Sequence, residues 1–125
     1  MSSEAIILLG SNTNRNLLTE AAALLTRDFE IKACSGIAET GAVGSHYLSP
    51  FYNQAILLHS LHNRDEAVRI FKETEKKLGR TPQSKHQGIV PMDIDLVVWN
   101  GEVCHGDYFR YDFVRACVNE IWAKE

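Results

Sequence analysis

Asp93 and Asp95 stand one residue apart in "GIVPMDIDLVVWN", residues 88–100, a stretch otherwise built from the Val, Ile, Leu and Trp that suit a core strand. Side chains alternate across a strand, so both carboxylates point to the same face, roughly 6–7 Å apart along it. Left unpaired, the two acids repel, and one is expected to take up a proton. Mg²⁺ relieves that cost, because it favours hard oxygen ligands and completes its shell with water and substrate phosphates. Two such ions can clamp the oxygens of an in-line phosphoryl displacement. The alternative is a strand with one face open to water. Val97 and Trp99 continue the same face, which confines the polar part to the Asp end.

Other chemistry-bearing groups are weaker signals. Gly10-Ser11-Asn12 follows an apolar run and could cradle phosphate, but it lacks the Lys and glycine spacing of a P-loop, so an ordinary turn into a helix fits better. His59 and His62 have no Cys or carboxylate motif beside them that would make a structural zinc site. Glu73, Glu75, Lys76 and Lys77 read as the solvated end of a helix. Arg80 becomes a candidate phosphate ligand because it falls just past that helix, near the Asp strand.

The elements that must position these groups follow from periodicity. Residues 5–9 form a short apolar strand ending at Gly10, and residues 11–14 supply turn and capping residues. Leu17, Leu18, Ala21, Leu24 and Leu25 recur at helical spacing, which predicts a helix to about Asp28. Alternation over residues 29–37 predicts a second strand, and residues 39–50, with Gly41, Gly44 and Pro50, a long functional loop. A third strand spans 51–60. Asn63 then caps a helix whose inner stripe is Ala67, Ile70, Phe71, Thr74 and Leu78, with Gly79 as its stop. Residues 80–91 form a polar loop before the Asp strand, Asn100-Gly101 marks a turn, and 109–123 a final short helix. The order β-α-β-β-α-β is the ferredoxin-like α+β arrangement, an antiparallel sheet with its helices on one face.

Composition sets the frame. The 125 residues fit one domain, 1–125, with a single core. A net charge of −3 with interspersed signs argues against nucleic acid as a partner. Three widely spaced cysteines, Cys34, Cys104 and Cys117, suit a reducing, cytoplasmic compartment. No signal peptide is expected in "MSSEAIILLG", and no apolar stretch has membrane-spanning length.

The chain resembles the pterin pyrophosphokinases of folate biosynthesis, which transfer pyrophosphate from ATP to 6-hydroxymethyl-7,8-dihydropterin. The likeness runs through "LLGSN", "TGAVG" (40–44), "FYNQA" (51–55), "ETEKKLGR" (73–80) and "MDIDLVVWNGEV" (92–103), then "HGDYFRYDFVRACVNEI" (105–121). It is a shortened and divergent member of that pattern. A stretch is missing between Val103 and Cys104, typical members continue past Ile121, and "HQGIV" (86–90) replaces the usual R-W-G-P-R. The resemblance implies a ferredoxin-like fold with ATP and Mg²⁺. It places Asp93 and Asp95 on the metal, with Arg80 as their catalytic partner. Phe51 and Phe113 would sandwich the pterin, Asn53 would bond its amide edge, and Thr40, Val43 and Gly44 would line it. Glu75 would contact the nucleotide, with Arg80, His105 and Arg110 on its phosphates. The partner implied is a small molecule, taken by a monomer or weak homo-oligomer with no membrane attachment. The alternatives are a pterin- or nucleotide-binding homologue impaired in turnover and an interaction module pairing through a sheet edge.

Overall fold

The computed structural model describes residues 2–41 and 50–122. Its elements are β1 (Ser3–Ser11), α1 (Asn16–Leu25), β2 (Phe29–Cys34), β3 (Ala38–Thr40), β4 (Phe51–Ser60), α2 (Arg64–Lys77), α3 (Pro82–His86), β5 (Asp93–Trp99), β6 (Glu102–Val103), α4 (Asp107–Arg110) and α5 (Asp112–Ile121). The sheet runs β2-β4-β1-β5-β6, with β3 also on β4, and every pairing is antiparallel. β1 lies in the middle and is covered on both faces, which is why "AIILL" is continuously apolar rather than alternating.

On one face, Ile7, Leu9, Ile56, Leu58 and Ile94 pack against Leu18, Ala21 and Leu25 of α1 and Ala67 and Phe71 of α2. On the other, Ile6, Leu8, Ala55 and Val98 pack against Val114, Cys117 and Val118 of α5. Helices on a single face were expected. The correction follows from the strands, whose second face is apolar as well and requires its own amphipathic cover.

Several boundaries differ from the sequence expectation for identifiable reasons. The strand expected over 29–37 stops at Cys34, because Ser35 Oγ accepts the Ala55 N–H at 2.9 Å and stands in for a backbone partner. The chain then resumes as β3 against the other half of β4, so residues 39 and 40 of the expected loop are strand, and residues 42–49 of it lie outside the described residues. The polar loop over 80–91 contains α3, because Thr81 and Ser84 cap each other reciprocally and Pro82 starts the turn. The last helix is two pieces broken at Tyr111. Arg115 donates to the carbonyls of Tyr108 and Phe109 at 2.7 and 2.8 Å and closes the end of α4.

A bulge also separates Val97 from Trp99. Ile7 pairs with Leu96 and Ile6 with Val98, leaving Val97 as the extra residue. Trp99 therefore packs with the α1–α2 core, while Val97 stays on the α5 side with the aspartates.

Candidate active site

Antiparallel register builds the floor of a pocket of about 190 Å³. Gly10 in β1 pairs with Asn53 on one side and Asp93 on the other; one step along, Leu8 pairs with Ala55 and Asp95. Asn53, Asp93 and Asp95 thus stand on the α5 side of the sheet around a residue with no side chain. A Cβ at Gly10 would meet Asn53 Oδ1 at 3.5 Å, so anything longer would begin to fill the hollow. Thr40 and Phe51 line it from β3 and β4, and Asp107 of α4, Tyr111 at the break, and Phe113 and Val114 of α5 complete the lining. The Tyr111 and Phe113 rings lie 5.7 Å apart and tilted. The lining combines three aromatic rings, Phe51, Tyr111 and Phe113, with the Asn53 amide and three acids, a set suited to a planar heterocycle bearing a reactive arm.

Asn53 is buried, and its Nδ2 donates to Thr40 Oγ1 at 3.0 Å and to the Ala38 carbonyl at 3.3 Å, which fixes the orientation of the amide. Thr40, Phe51, Asn53 and Phe113 all line this pocket. Val43 and Gly44 lie outside the described residues.

The acid end carries the electrostatic tension. Burial, then the charge and hydrogen bond of Asp93 and the charge of Asp107, push the Asp95 carboxyl up to about 8 against the pull of Lys72. Arg80 Nη1 donates to Asp93 Oδ1 at 2.8 Å and to the Met92 carbonyl at 3.3 Å. Burial works against the guanidinium charge, but Asp93, Glu75 and Asp95 outweigh it and raise the Arg80 pKa. Imidazole and carboxylate donor atoms of Asp95, His105 and Asp107 all lie within 4.8 Å of one another. With Asp93 beside Asp95, this oxygen-rich set fits a hard divalent ion. The Asp107 N–H donates to His105 Nδ1 at 3.2 Å, which leaves the proton on Nε2, 3.7 Å from Asp95 Oδ1. His105 thus presents a donor towards the acids.

Two expected ligands sit differently. Glu75 is buried, not at a solvated helix end. Its Oε2 accepts from the Ile94 N–H at 2.7 Å and Lys72 Nζ at 3.2 Å, with Arg80 Nη1 at 3.5 Å, so it joins α2 to β5. Arg110 is 70% exposed, 4.0 Å from Asp107 and stacked over Tyr111, and it is Tyr111 that lines the pocket.

Asp107 and Tyr111 were missed, although both fall close after His105 in a segment already singled out. Asn12 was read as an ordinary turn residue, yet it is buried and ties distant segments together. Its Nδ2 donates to the Gly88 carbonyl at 2.8 Å, its Oδ1 accepts from Val90 N–H at 2.6 Å, and its own N–H reaches Val90 O at 2.9 Å. The end of β1 is thereby bonded to the segment that leads into Asp93. Asn12→Ala leaves two buried backbone groups without partners and is expected to cost about 2–4 kcal/mol, read from the urea midpoint. A loss under about 0.5 kcal/mol, within the range of an ordinary surface substitution, would refute this role.

Comparison with known proteins supplies an independent line. The family model described as 7,8-dihydro-6-hydroxymethylpterin-pyrophosphokinase matches residues 6–123. The 2-amino-4-hydroxy-6-hydroxymethyldihydropteridine pyrophosphokinase of Bacillus subtilis (strain 168) is 31% identical over 133 aligned positions, covering 97% of this chain and 79% of that one.

Proposed function

The chain belongs to the 7,8-dihydro-6-hydroxymethylpterin-pyrophosphokinase family, and on that premise we propose that it transfers pyrophosphate from ATP to 6-hydroxymethyl-7,8-dihydropterin in folate biosynthesis. The observation that carries the reading is the convergence of Asn53, Phe51 and Phe113 with Asp93 and Asp95 on one pocket. The pterin ring lies between Phe51 and Phe113, with Asn53 and Thr40 on its polar edge and its hydroxymethyl arm directed at the two aspartates. Mg²⁺, held by Asp93 and Asp95, would neutralise charge on the transferred phosphates when bound. His105 donates through Nε2 to a phosphate oxygen, and Arg80 exchanges Asp93 for phosphate as the nucleotide arrives. Transfer of this kind rests on positioning and charge neutralisation rather than on a covalent intermediate.

Glu75 serves the nucleotide through its hold on Lys72, Arg80 and β5. Arg110 reaches the phosphates only by leaving its place over Tyr111.

The strand order supports the ferredoxin-like reading, with α5 added on the outer face. We take residues 1–125 as one domain, working in the cytoplasm as a monomer or weak homo-oligomer. Among the described residues no helix is long and apolar enough to cross a membrane.

One observation favours a second reading, of ligand binding without turnover. Val90 is buried and bonded to Asn12 in the segment where the family pattern carries an Arg. The deciding experiment incubates purified protein with Mg²⁺, ATP and 6-hydroxymethyl-7,8-dihydropterin. AMP is expected to appear in step with the pyrophosphorylated pterin and to cease on chelation of the metal. Calorimetric binding of the pterin without AMP formation would replace the enzyme reading with the second one.

A further inference from the structure

Away from the pocket, the bend between β2 and β3 is tied to α5 through a backbone amide. All four backbone groups of Ser35 and Gly36 have partners. The Ser35 N–H donates to the Ala55 carbonyl at 2.9 Å, and the Ser35 carbonyl accepts from Gln54 Nε2 at 2.9 Å. The Gly36 carbonyl accepts from Ser35 Oγ at 2.9 Å, and the Gly36 N–H donates to Glu120 Oε1 at 2.9 Å. Ala55 and Gln54 belong to β4 and Ser35 to the bend itself, so of these partners only Glu120 comes from a helix. A Cβ at Gly36 would meet the same oxygen at 3.6 Å, which places the carboxylate against the bend. One turn earlier on α5, Cys117 reaches the same place: burial pushes its thiol up, while a hydrogen bond with Ser35 pulls the other way. Glu120 does not serve its own helix. It lies in the last turn of α5, where no basic residue stands, and a negative charge there opposes the helix dipole.

The same two segments reach the pocket. Phe113 stands two turns before Glu120 on α5 and shares its face, while the chain from Gly36 runs through β3 to Thr40. From this juxtaposition we propose that Glu120 is a positioning residue for the heterocycle. By holding α5 to the bend, it sets the spacing between Phe113 and the residues of β3 and β4 that line the pocket with it, Thr40, Phe51 and Asn53. The proposal deepens the pterin part of the reading above and rests on it for the identity of the ligand. Exposure of the bond decides what its loss should look like. Glu120 is exposed, so water can replace it on the Gly36 amide and little stability is lost. Water cannot tie that amide to α5, and a ligand that needs the spacing must then restore it at the expense of its affinity.

Calorimetry on the full chain tests this with two probes, 6-hydroxymethyl-7,8-dihydropterin and a non-hydrolysable ATP analogue with Mg²⁺, in Glu120→Ala and Glu120→Gln. In Glu120→Ala, pterin affinity is expected to fall roughly 3–10-fold while nucleotide affinity stays within about twofold. The melting temperature should stay within a few degrees of wild type. Glu120→Gln keeps an oxygen acceptor and is expected to recover most of the loss. In steady state the change should appear in the pterin KM and not in kcat. Hydrogen exchange at the Gly36 amide, followed by NMR without ligand, should quicken in Glu120→Ala and stay slow in Glu120→Gln. Wild-type pterin affinity in Glu120→Ala overturns the positioning role and leaves the pyrophosphokinase reading standing. So does a Gln variant as weak as the Ala one, or an equal fall in pterin and nucleotide binding with a collapsed melt, which would make Glu120 merely structural. Wild-type protein that binds the nucleotide but no pterin overturns the reading itself, and the role with it.

Discussion

Asp95→Ala is expected to abolish pyrophosphate transfer, lowering kcat by at least about three orders of magnitude, while the ion-free protein folds as well as the wild type. The two halves of that result have one cause. Asp95 lies on the pocket floor opposite Leu8, within reach of Asp93, His105 and Asp107, and its side chain is 23% exposed. A carboxylate so placed gains nothing from the fold by itself; burial and neighbouring acids oppose its charge. What it offers is an anionic oxygen where a divalent ion must sit against phosphate, and electrostatic stabilisation of that kind is commonly the largest single contribution to catalysis. Asp93 cannot substitute for it, because it lines the pocket from its own place on the strand and is itself assigned to the metal, so Asp95's position is left without an oxygen. Product formation followed by chromatography, with thermal melts of the ion-free protein alongside, checks both halves. Residual transfer within tenfold of wild type would show that the metal is held elsewhere. A collapsed melt would show Asp95 to be structural.

The parts of this site that were legible in the sequence are those where local chemistry decides. The apolar run of β1 marked a buried strand, though not that helices would cover both of its faces. Gly79 at φ +104 and Asn100-Gly101 at φ +49 and +83 stopped a helix and turned a hairpin as their residue types require. Alternation alone placed Asp93 and Asp95 on one face. What escaped depended on partners distant in the chain. No local pattern reveals the bulge at Val97 that turns Trp99 away, because it arises from the pairing of β5 with β1. Glu75 resembled a solvated helix end, yet it is four residues from Phe71 on the inner stripe, and three donors from other positions make its burial tolerable. Arg110 was placed on the phosphates by the family resemblance, and Tyr111 beside it was not considered. The break between α4 and α5, fixed by Arg115, decides which of the two faces the pocket.

The second large effect concerns pH and has an unusual sign for a carboxylate. Most acids in folded proteins are stabilised in the charged form, so stability falls towards acid. Asp95 runs the other way in the ion-free protein, where burial first, then Asp93 and Asp107, raise its pKa from the ordinary 3.8 to about 8. Between those values the native chain holds a proton that the unfolded chain has released. Its contribution to stability is therefore complete below about pH 4 and is lost as pH climbs through 8. Each pKa unit is worth about 1.4 kcal/mol, so the change across the window amounts to several kcal/mol. The quantity to measure is the difference in unfolding free energy between wild type and Asp95→Asn, which cancels the other titrating groups. It should move steadily against the wild type from pH 5 to pH 8. Metal binding reads the same proton from the other side, because a ligating carboxylate must be ionised. Titration of Mg²⁺ with nucleotide in buffers of different ionisation enthalpy should show proton release near pH 6.5 that fades above pH 8.5. Parallel stability curves for the two proteins, with no proton released on metal binding, would mean that Asp95 is already charged in the empty pocket. The strain between the paired acids would then be absent, and with it the reason this strand has to recruit a cation.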